Sequence, residues 1–595
     1  MPVNHPLSRA PRPRRSSAVP SPTAEADLVL VNAKVITVDG DFSLREAVAV
    51  SKGRILAVGR TDEVRKLARP STRVLDLKGL PVLPGINESH LHGPFFGATR
   101  PPLALDLTYP AVRSIPEMVE ALRKKALETA PGEWIRGFGW DQASLEECRD
   151  DPSRLPRKYD LDPVTPRNPV VFTDFSGHTL LVNSRALELA GVTRETPDPP
   201  SGEVERDERG DPTGILKEPQ AQALVSVHVP LLTREEKKTA LLTALRHLNA
   251  NGVTSFTDAA IGPGGDTYVG GVMSAEFVAL YQELLAEGKL TARATVLLLL
   301  GQYGALTYDE LEEGLRTFPR PGTPEPTWLQ FPGVKLFADG IPLTYTSWMN
   351  EPYVSGNAGR GRSVLAGATE AEQAENLARM IALVHRQGFQ VAVHATGDRA
   401  IDATVEGFAR ALREDPGGDP RHYVIHGDFI SPRTTALLAE LGCGLAIQPF
   451  IGVMIADFEP AIVGKERAAR EWPLRSLLDA GVKLTSNSDA PVTYPNWRKG
   501  VQAAVLRESL LSGAVSGPEE RITVEEALRT YTINGAWQDG MDDVKGSIEP
   551  GKCADFCVIG EDILRVDPHR IGDIPVLMTI AGGEVVFDES GGRFG

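Results

Sequence analysis

The chain has 595 residues, of which 42% are hydrophobic and 24% charged, a composition typical of a globular protein with large buried cores. Its 79 acidic residues outnumber the 63 basic ones and give a formal net charge of −16. A charge of this sign and size argues against a nucleic-acid or anionic-membrane partner, because each of these selects a basic face.

The cysteine pattern and the hydropathy exclude two further classes. Cys148, Cys443, Cys553 and Cys557 are scattered and form no CxxC pair, which predicts neither a disulfide framework nor a cysteine zinc site. No uninterrupted apolar stretch approaches the roughly 20 residues that a membrane span requires. We therefore expect a cytoplasmic protein with no membrane partner.

Residues 1–26 are rich in Pro, Ser, Arg and Ala and lack the apolar core of a secretory signal, which predicts a disordered tail.

The two segments that flank the middle of the chain have similar patterns of apolar and polar residues. Between residues 27 and 79, alternating runs such as LVLVNAKVITV predict short strands, and the same texture returns in residues 541–595. We expect these two segments to pair into one small β-sandwich.

The middle of the chain alternates candidate strands with segments of helical periodicity. The candidate strands are residues 80–86, 253–260, 292–300, 333–340, 390–397, 422–428, 444–449 and 482–491. Segments between them, such as 233–252 and 368–388, end at a glycine, as helices often do. Eight parallel strands with helical crossovers predict an α/β fold, a (β/α)8 TIM-type barrel built from residues 80–92 and 233–540.

Residues 93–232 interrupt this alternation. The interval is far too long for one connection between a strand and the next helix, and it contains helix and strand signals of its own. In barrels of this type the active site lies at the C-terminal ends of the strands, where such connections project. We therefore expect residues 93–232 to form an inserted subdomain, or lid, at the catalytic face.

Side chains that can bind metal ions stand where the candidate strands end. His90 and His92 are one residue apart, so that in an extended strand both imidazoles face the same side. The later members of the set are Lys335 on the fourth candidate strand, His394 after the fifth, His426 after the sixth and Asp489 after the eighth. Taken singly, each has a structural explanation, such as a satisfied core histidine or a helix N-cap. Their agreement in type and strand order favours a metal site.

Lys335 needs a separate explanation. Its neighbours Val334 and Leu336 take the outward parity of the strand, which leaves the lysine facing the barrel interior. Desolvating an unpaired ammonium is costly. Carbamylation would turn the cation into an anionic ligand that bridges two metal ions, whereas an unmodified lysine would leave a single-metal site. Both alternatives stay open.

Several motifs along the chain belong together. They are PGINESHLH, SGHTLLVNSRAL, GILKE, VKLFADG, HATGDRAID, VIHGDFISP and NSDAPV, followed by GSIEPGKCADFCVI near the C-terminus. In combination they resemble the amidohydrolase superfamily, and most of all its YtcJ-like metal-dependent amidohydrolases, the N-substituted formamide deformylase-like branch. The resemblance extends over residues 27–587 and leaves out only the N-terminal tail.

The resemblance implies a metal-dependent hydrolase that cleaves a C–N bond of a small amide by attack of a metal-bound hydroxide. The implied ligands are His90, His92, Lys335, His394, His426 and Asp489. The first two histidines would bind one ion, the last two would bind a second, and the carbamylated lysine would bridge them. The aspartate would contact the first ion and act as acid and base. Imidazole and carboxylate ligands suit Zn²⁺, with Mn²⁺, Fe²⁺ and Co²⁺ as alternatives.

The insertion supplies three further candidates by resemblance. His178, Trp140 and Asp141 would contact the substrate. A buried structural histidine is the alternative for His178, and Trp140 is better explained as a packing residue of the insertion's core. Two positions depart from the family pattern. Glu88 stands where many relatives have Asp, and Ala490 changes the loop beside the catalytic aspartate.

Other functions are compatible with the same residues. The site could hydrolyse a cyclic amide, an imide, a carbamate or an ester, or the chain could be a catalytically silent binding or regulatory relative that keeps the barrel. The complete ligand set argues against a silent relative. The resemblance also implies a small-molecule substrate and a homodimer.

Overall fold

The computed structural model describes residues 25–594, apart from 110, 143, 152–153, 176, 178, 200–201, 267–268, 302–305 and 355–358. The predicted disordered tail, residues 1–26, therefore lies almost wholly outside the described residues. Within these ranges, no helix combines the length and the apolar character that crossing a bilayer demands.

Eight parallel strands form the central sheet, each paired with the next in chain order. They are β1 (Ile86–Leu91), β2 (Val253–Ile261), β3 (Arg293–Leu298), β4 (Leu329–Phe337), β5 (Gln390–Ala395), β6 (Tyr423–His426), β7 (Gly444–Ile447) and β8 (Lys483–Ser486). β8 and β1 lie side by side, joined where the Ser89 hydroxyl donates to the Ser486 carbonyl at 3.0 Å. The predicted (β/α)8 TIM-type barrel is confirmed.

Helices surround this barrel. The longer ones are Arg234–Ala250, Glu276–Ala286, Tyr308–Thr317, Glu370–Arg386, Asp398–Glu414, Pro432–Leu441 and Trp497–Leu506, and shorter ones are Gly93–Ala98, Pro449–Ile455, Glu459–Ile462, Lys465–Ala468, Leu474–Asp479, Val524–Thr530 and Ile533–Gln538. The first long helix begins at a capping box, in which Thr233 and Glu236 satisfy each other's backbone N–H groups. The periodicity of the two helical segments quoted above therefore locates these helices to within a few residues.

The insertion forms a sheet of its own. Its six strands are Leu105–Asp106, Ile135–Trp140, Val170–Asp174, Thr179–Val182, Glu203–Arg206 and Pro212–Lys217. Its helices are Ile115–Glu128, Glu146–Asp150, Lys158–Leu161, Ser184–Ala190 and Glu218–Ser226. The adjacent residues Val171 and Phe172 pack into different buried clusters, as expected of a strand that is covered on both faces.

The two ends of the chain meet in two further sheets. One contains Leu28–Val31, Ala47–Ser51, Arg54–Gly59 and Arg73–Asp76, with the short helix Thr61–Val64 following its third strand, and the other contains Lys34–Ile36, Leu44–Arg45, Pro81–Pro84, Phe556–Ile559, Val576–Ala581 and Glu584–Asp588. Leu30 and Val48 from the N-terminal part share one buried core with Phe556 and Val558 from the C-terminal part. The terminal segments thus build one β-sandwich, as predicted.

The prediction that residues 80–86 form the first barrel strand is wrong for most of its length. Pro81–Pro84 pairs with Lys34–Ile36 and Phe556–Ile559 in the sandwich, and the barrel strand begins only at Ile86. A fully buried apolar run fits either sheet, so its sequence does not distinguish them. Between the two strands stands Gly85, where a Cβ would lie 1.9 Å from Thr254 Oγ1. The division of the chain into domains at residues 79, 92, 232 and 540 stays a prediction.

Two buried histidines bond to each other beside the N-terminal end of β6. His422 Nδ1 accepts the Val391 backbone N–H at 2.9 Å, so its proton is on Nε2, which faces His385 Nδ1 at 3.0 Å. His385 Nε2 in turn donates to the Asp415 carbonyl at 2.8 Å. Burial, with His385 adding to it, lowers the pKa of His422 to about 3. The folded protein therefore holds His422 neutral.

Acid should destabilise the protein through His422. Between pH 6.5 and 3 the unfolded chain binds a proton at this residue that the folded protein does not, so the free energy of unfolding should fall as the pH drops through this window. The slope from this one group is at most about 1.4 kcal/mol per pH unit. Urea unfolding from pH 7 to 4 should show a shallower pH dependence for His422→Gln. The matched change at the exposed His228, His228→Gln, should leave the slope unaltered. An unaltered slope in His422→Gln would contradict the prediction.

Candidate metal centre

Three of the predicted ligands converge where β1 and β8 end. His90 Nε2 lies 3.3 Å and His92 Nε2 lies 3.5 Å from Oδ1 of Asp489. Among the described residues, this is the single group of three His, Cys, Asp or Glu side chains whose ligand atoms lie within 4.8 Å of one another. Within the same part of the chain, neither ring nitrogen of His90 nor Asp489 Oδ1 has a hydrogen-bond partner, although these atoms are buried. Nitrogen and oxygen atoms so placed are suited to a shared divalent cation.

The backbone holds these three residues together. The His92 N–H donates to the Ala490 carbonyl at 2.8 Å, and the Asp489 N–H donates to the His90 carbonyl at 3.2 Å, which joins β1 to the loop after β8. Asp489 has φ +53°, in the left-handed region that a non-glycine residue adopts at a cost. The two backbone hydrogen bonds offset this cost and hold in place the backbone that carries the carboxylate.

The second predicted pair lies beside the first. The rings of His394 and His426 are 4.4 Å apart, and the His426 ring is 5.8 Å from that of His90. His394 Nε2 donates to the Gly340 carbonyl at 2.9 Å, which leaves its Nδ1 lone pair available. His426 Nδ1 lies 2.9 Å from Oε1 of Gln448, which leaves its Nε2 available. Each histidine thus offers one nitrogen to a ligand and uses the other to fix its orientation.

Lys335 is buried on β4, only 1% exposed, and faces the barrel interior, since Val334 and Leu336 belong to the apolar core outside the barrel. Its Nζ lies 4.8 Å from the centroid of the Phe337 ring, which in turn is 5.5 Å from the ring of His394. Burial lowers the pKa of Lys335 to about 7, against the opposing charge of Asp489. The neutral amine, the form that can react with carbon dioxide, is therefore populated near neutral pH.

All four histidines are held neutral. Burial lowers the pKa of His92 to about 3 and that of His394 to about 4, and it lowers the pKa values of His90 and His426 well below 6.5. The charge of Lys335 acts in the same direction on each of them. Neutral imidazoles carry the lone pairs that metal binding requires.

Glu88 contacts the residue before the central aspartate. Its carboxylate accepts the backbone N–H of Ser488, and its Oε2 has no hydrogen-bond partner among the described residues. Burial raises the pKa of Glu88 to about 7. The longer side chain at this position therefore contacts the loop that carries Asp489.

Two of the candidates in the insertion, Trp140 and Asp141, contact other residues of the insertion. Trp140 is 3% exposed and packs in the insertion's own core, which supports the packing explanation. The Asp141 carboxylate accepts the Ser144 hydroxyl at 2.7 Å. His178 lies outside the described residues.

Sequence reasoning missed three residues around the site, namely Phe95, Phe138 and Gln448. Phe95, in the helix directly after His92, lies 6.1 Å from Phe138 of the insertion, ring centroid to centroid, and so brings the insertion to the mouth of β1. Gln448 directly follows β7 and bonds His426. Its position directly after a strand could have indicated a place near the site, because several candidate ligands also stand at or near the C-terminal ends of strands.

Comparison with known proteins gives the family. Residues 73–587 match the amidohydrolase family. N-substituted formamide deformylase of Arthrobacter pascens is 30% identical over 574 residues, covering 96% of this chain and 100% of that protein, and YtcJ of Bacillus subtilis is 29% identical over 553 residues, covering 92% and 96%. The solved structure of an uncharacterized metal-dependent hydrolase from Pyrococcus furiosus, 25% identical, superposes with a TM-score of 0.68 over 90% of this chain and 100% of its own. The predicted enzyme class, a hydrolase acting on carbon–nitrogen bonds, is confirmed with the family. The chain belongs to the amidohydrolase family.

Proposed function

We propose that the protein hydrolyses the C–N bond of a small amide at a divalent metal centre formed by the ends of the barrel strands. The observation that carries the proposal is the convergence of His90, His92 and Asp489, whose ligand atoms lie within 4.8 Å of one another. Among the described residues, both ring nitrogens of His90 and Oδ1 of Asp489 are buried without a hydrogen-bond partner. A divalent ion in such a site lowers the pKa of a coordinated water and polarises a carbonyl group.

The chain offers ligands for two ions. We assign His90, His92 and Asp489 to the first, and the free nitrogens Nδ1 of His394 and Nε2 of His426 to the second. A carbamylated Lys335 would supply carbamate oxygens as ligands that the two ions share. The lowered pKa of Lys335 favours that modification. Imidazole nitrogens with carboxylate oxygens favour Zn²⁺.

Asp489 is proposed as the acid and base. Its Oδ1 lies within 3.5 Å of Nε2 of both histidines of the first pair, so it would lie beside an ion held by that pair and near a water activated there. There it would accept a proton from that water and return it to the leaving nitrogen. The carboxylate at this position thus has a role in proton transfer as well as in metal binding.

The substrate class is proposed from the surroundings of the site and from the relative. The Arthrobacter pascens protein is named for N-substituted formamides. In this chain the half-buried Phe337 ring lies beside His394 and Lys335, where it could pack against an apolar substituent of the amide. We therefore propose an N-substituted formamide or another small N-acyl amine. The cytoplasmic location and the homodimer stay predictions.

Removal of divalent ions tests this function. Dialysis against a chelator should abolish hydrolysis in a panel of N-substituted formamides, N-acyl amines, cyclic amides and esters, and Zn²⁺ should restore it. Product formation is read by mass spectrometry and metal content by elemental analysis. His394→Ala should bind less metal than the wild type. Activity that survives complete metal removal would overturn the proposed mechanism.

A further inference from the structure

Gln448 stands between the proposed metal centre and the rest of the barrel wall. It directly follows β7 and is 1% exposed. Its Oε1 lies 2.9 Å from His426 Nδ1, and its Nε2 donates to Oδ1 of Asn487 at 2.9 Å. Both ends of the side-chain amide are therefore used, one toward a proposed ligand and one toward β8.

The chain of hydrogen bonds continues to β1. Asn487 Nδ2 donates to the Ser89 hydroxyl at 3.4 Å, and that hydroxyl donates to the Ser486 carbonyl at 3.0 Å. Ser89 lies between Glu88 and His90, so the relay connects the second pair of histidines to the strand that carries the first. All of its side chains are buried.

The last acceptor sets the direction of every bond in the relay. A backbone carbonyl cannot donate, so the Ser89 hydroxyl gives it the proton and is left to accept from Asn487. Asn487 then presents its oxygen to Gln448, and Gln448 presents its oxygen to His426. The hydrogen bond to Gln448 Oε1 therefore needs a donor on His426, which places the proton on Nδ1 and leaves the Nε2 lone pair free.

His426 has particular need of such support. Its φ is +77°, so its backbone occupies the left-handed region, in which a non-glycine residue is held only by its surroundings. A neutral imidazole has two tautomers, with the proton on Nδ1 or on Nε2. The acceptor of Gln448 selects one of them.

We propose that Gln448 is a positioning residue, which fixes His426 as the Nδ1–H tautomer with Nε2 directed to the metal centre, and which couples its orientation to β1 through Asn487 and Ser89. The inference rests on the proposed metal centre. Residues that orient a ligand typically change metal affinity about 10–100-fold when they are lost. Gln448 carries no charge, and its side-chain hydrogen bonds within the described residues reach only one proposed ligand, His426. We therefore expect its loss to change the geometry of metal binding.

The test compares two buried glutamines of one barrel. Gln448→Met removes both side-chain hydrogen bonds at similar length and should weaken Zn²⁺ binding about 10–100-fold. The matched control is Gln390→Met at the start of β5, where Nε2 donates to the carbonyls of Arg421 at 2.7 Å and Gln538 at 2.8 Å. It should lower thermal stability but keep Zn²⁺ affinity within about threefold. Affinity is measured by competition with a chromophoric chelator on the full-length protein, without reference to activity.

A second variant separates the acceptor from packing. Gln448→Glu keeps an oxygen for His426 and loses the donor to Asn487, so it should bind Zn²⁺ much more tightly than Gln448→Met. Equal losses in the two variants, or an unchanged affinity in Gln448→Met, would overturn the inference and leave the proposed function standing. A wild-type protein that binds no divalent ion would instead overturn the proposed function.

Discussion

Replacing Asp489 by asparagine should lower kcat for amide hydrolysis about 10²–10⁴-fold, the range that positioned proton transfer contributes. Asparagine keeps an oxygen where Oδ1 now lies 3.3 Å from His90 and 3.5 Å from His92, but it cannot accept a proton at neutral pH. The metal content should fall less than the rate. Steady-state kinetics on metal-loaded protein, with elemental analysis of the same sample, measure both quantities.

Asp402→Asn is the matched control. This carboxylate lies on the helix after β5 and bonds Thr434 and Asn350, so it has a structural role. Its replacement should leave kcat within about threefold. An Asp489→Asn variant that keeps its metal and turns over nearly as fast as the wild type would show that the proton passes through another group.

The barrel could be predicted because its signals are local. Alternating strands and helices, each with its own periodicity and end signals, fix the class of the fold, and capping residues such as Thr233 mark where helices begin. The error over residues 80–86 has a physical cause. Pro81–Pro84 and the barrel strands are equally buried, and which sheet a buried apolar strand joins depends on partners far away in the chain.

The convergence of His90, His92 and Asp489 could be predicted because each stands at or near the C-terminal end of a barrel strand. Parallel strands bring their C-terminal ends to one face, so residue type and strand order suffice to expect His90 and Asp489 together. The position of Gln448 beside these ligands was not predicted, because glutamine is a common residue with no metal-binding signal of its own. Its role depends on the order of β6, β7, β8 and β1 around the barrel and on the direction of three hydrogen bonds.

The joint between the barrel and the sandwich could not be predicted either. Arg293 begins β3, and its Nε and second terminal nitrogen bond the two carboxylate oxygens of Asp555 at 2.8 and 2.9 Å. Asp555 also accepts the Gly582 N–H at 2.7 Å, and the Arg293 guanidinium lies 4.2 Å from the centroid of the Trp328 ring. The two charges are 262 positions apart in sequence and both are buried, so neither spacing nor composition indicates their pairing.

Asp555→Ala should therefore lower the free energy of unfolding by about 3–5 kcal/mol, because it leaves the Arg293 guanidinium buried without a counter-ion. The double variant Arg293→Met with Asp555→Leu should lose much less, since it removes both charges and keeps apolar contact. Urea denaturation of the three proteins, followed by circular dichroism, measures these differences.

The exposed pair of Glu313 and Arg316 provides the comparison. Their side chains are 56% and 70% exposed, so solvent already screens the charges, and Glu313→Ala should change the free energy of unfolding by no more than about 0.5 kcal/mol. If Asp555→Ala cost as little as Glu313→Ala, the buried ion pair would add no more to the stability of the protein than an exposed one. A large cost in Asp555→Ala that the double variant relieves would instead show that the buried aspartate is needed chiefly to neutralise the arginine.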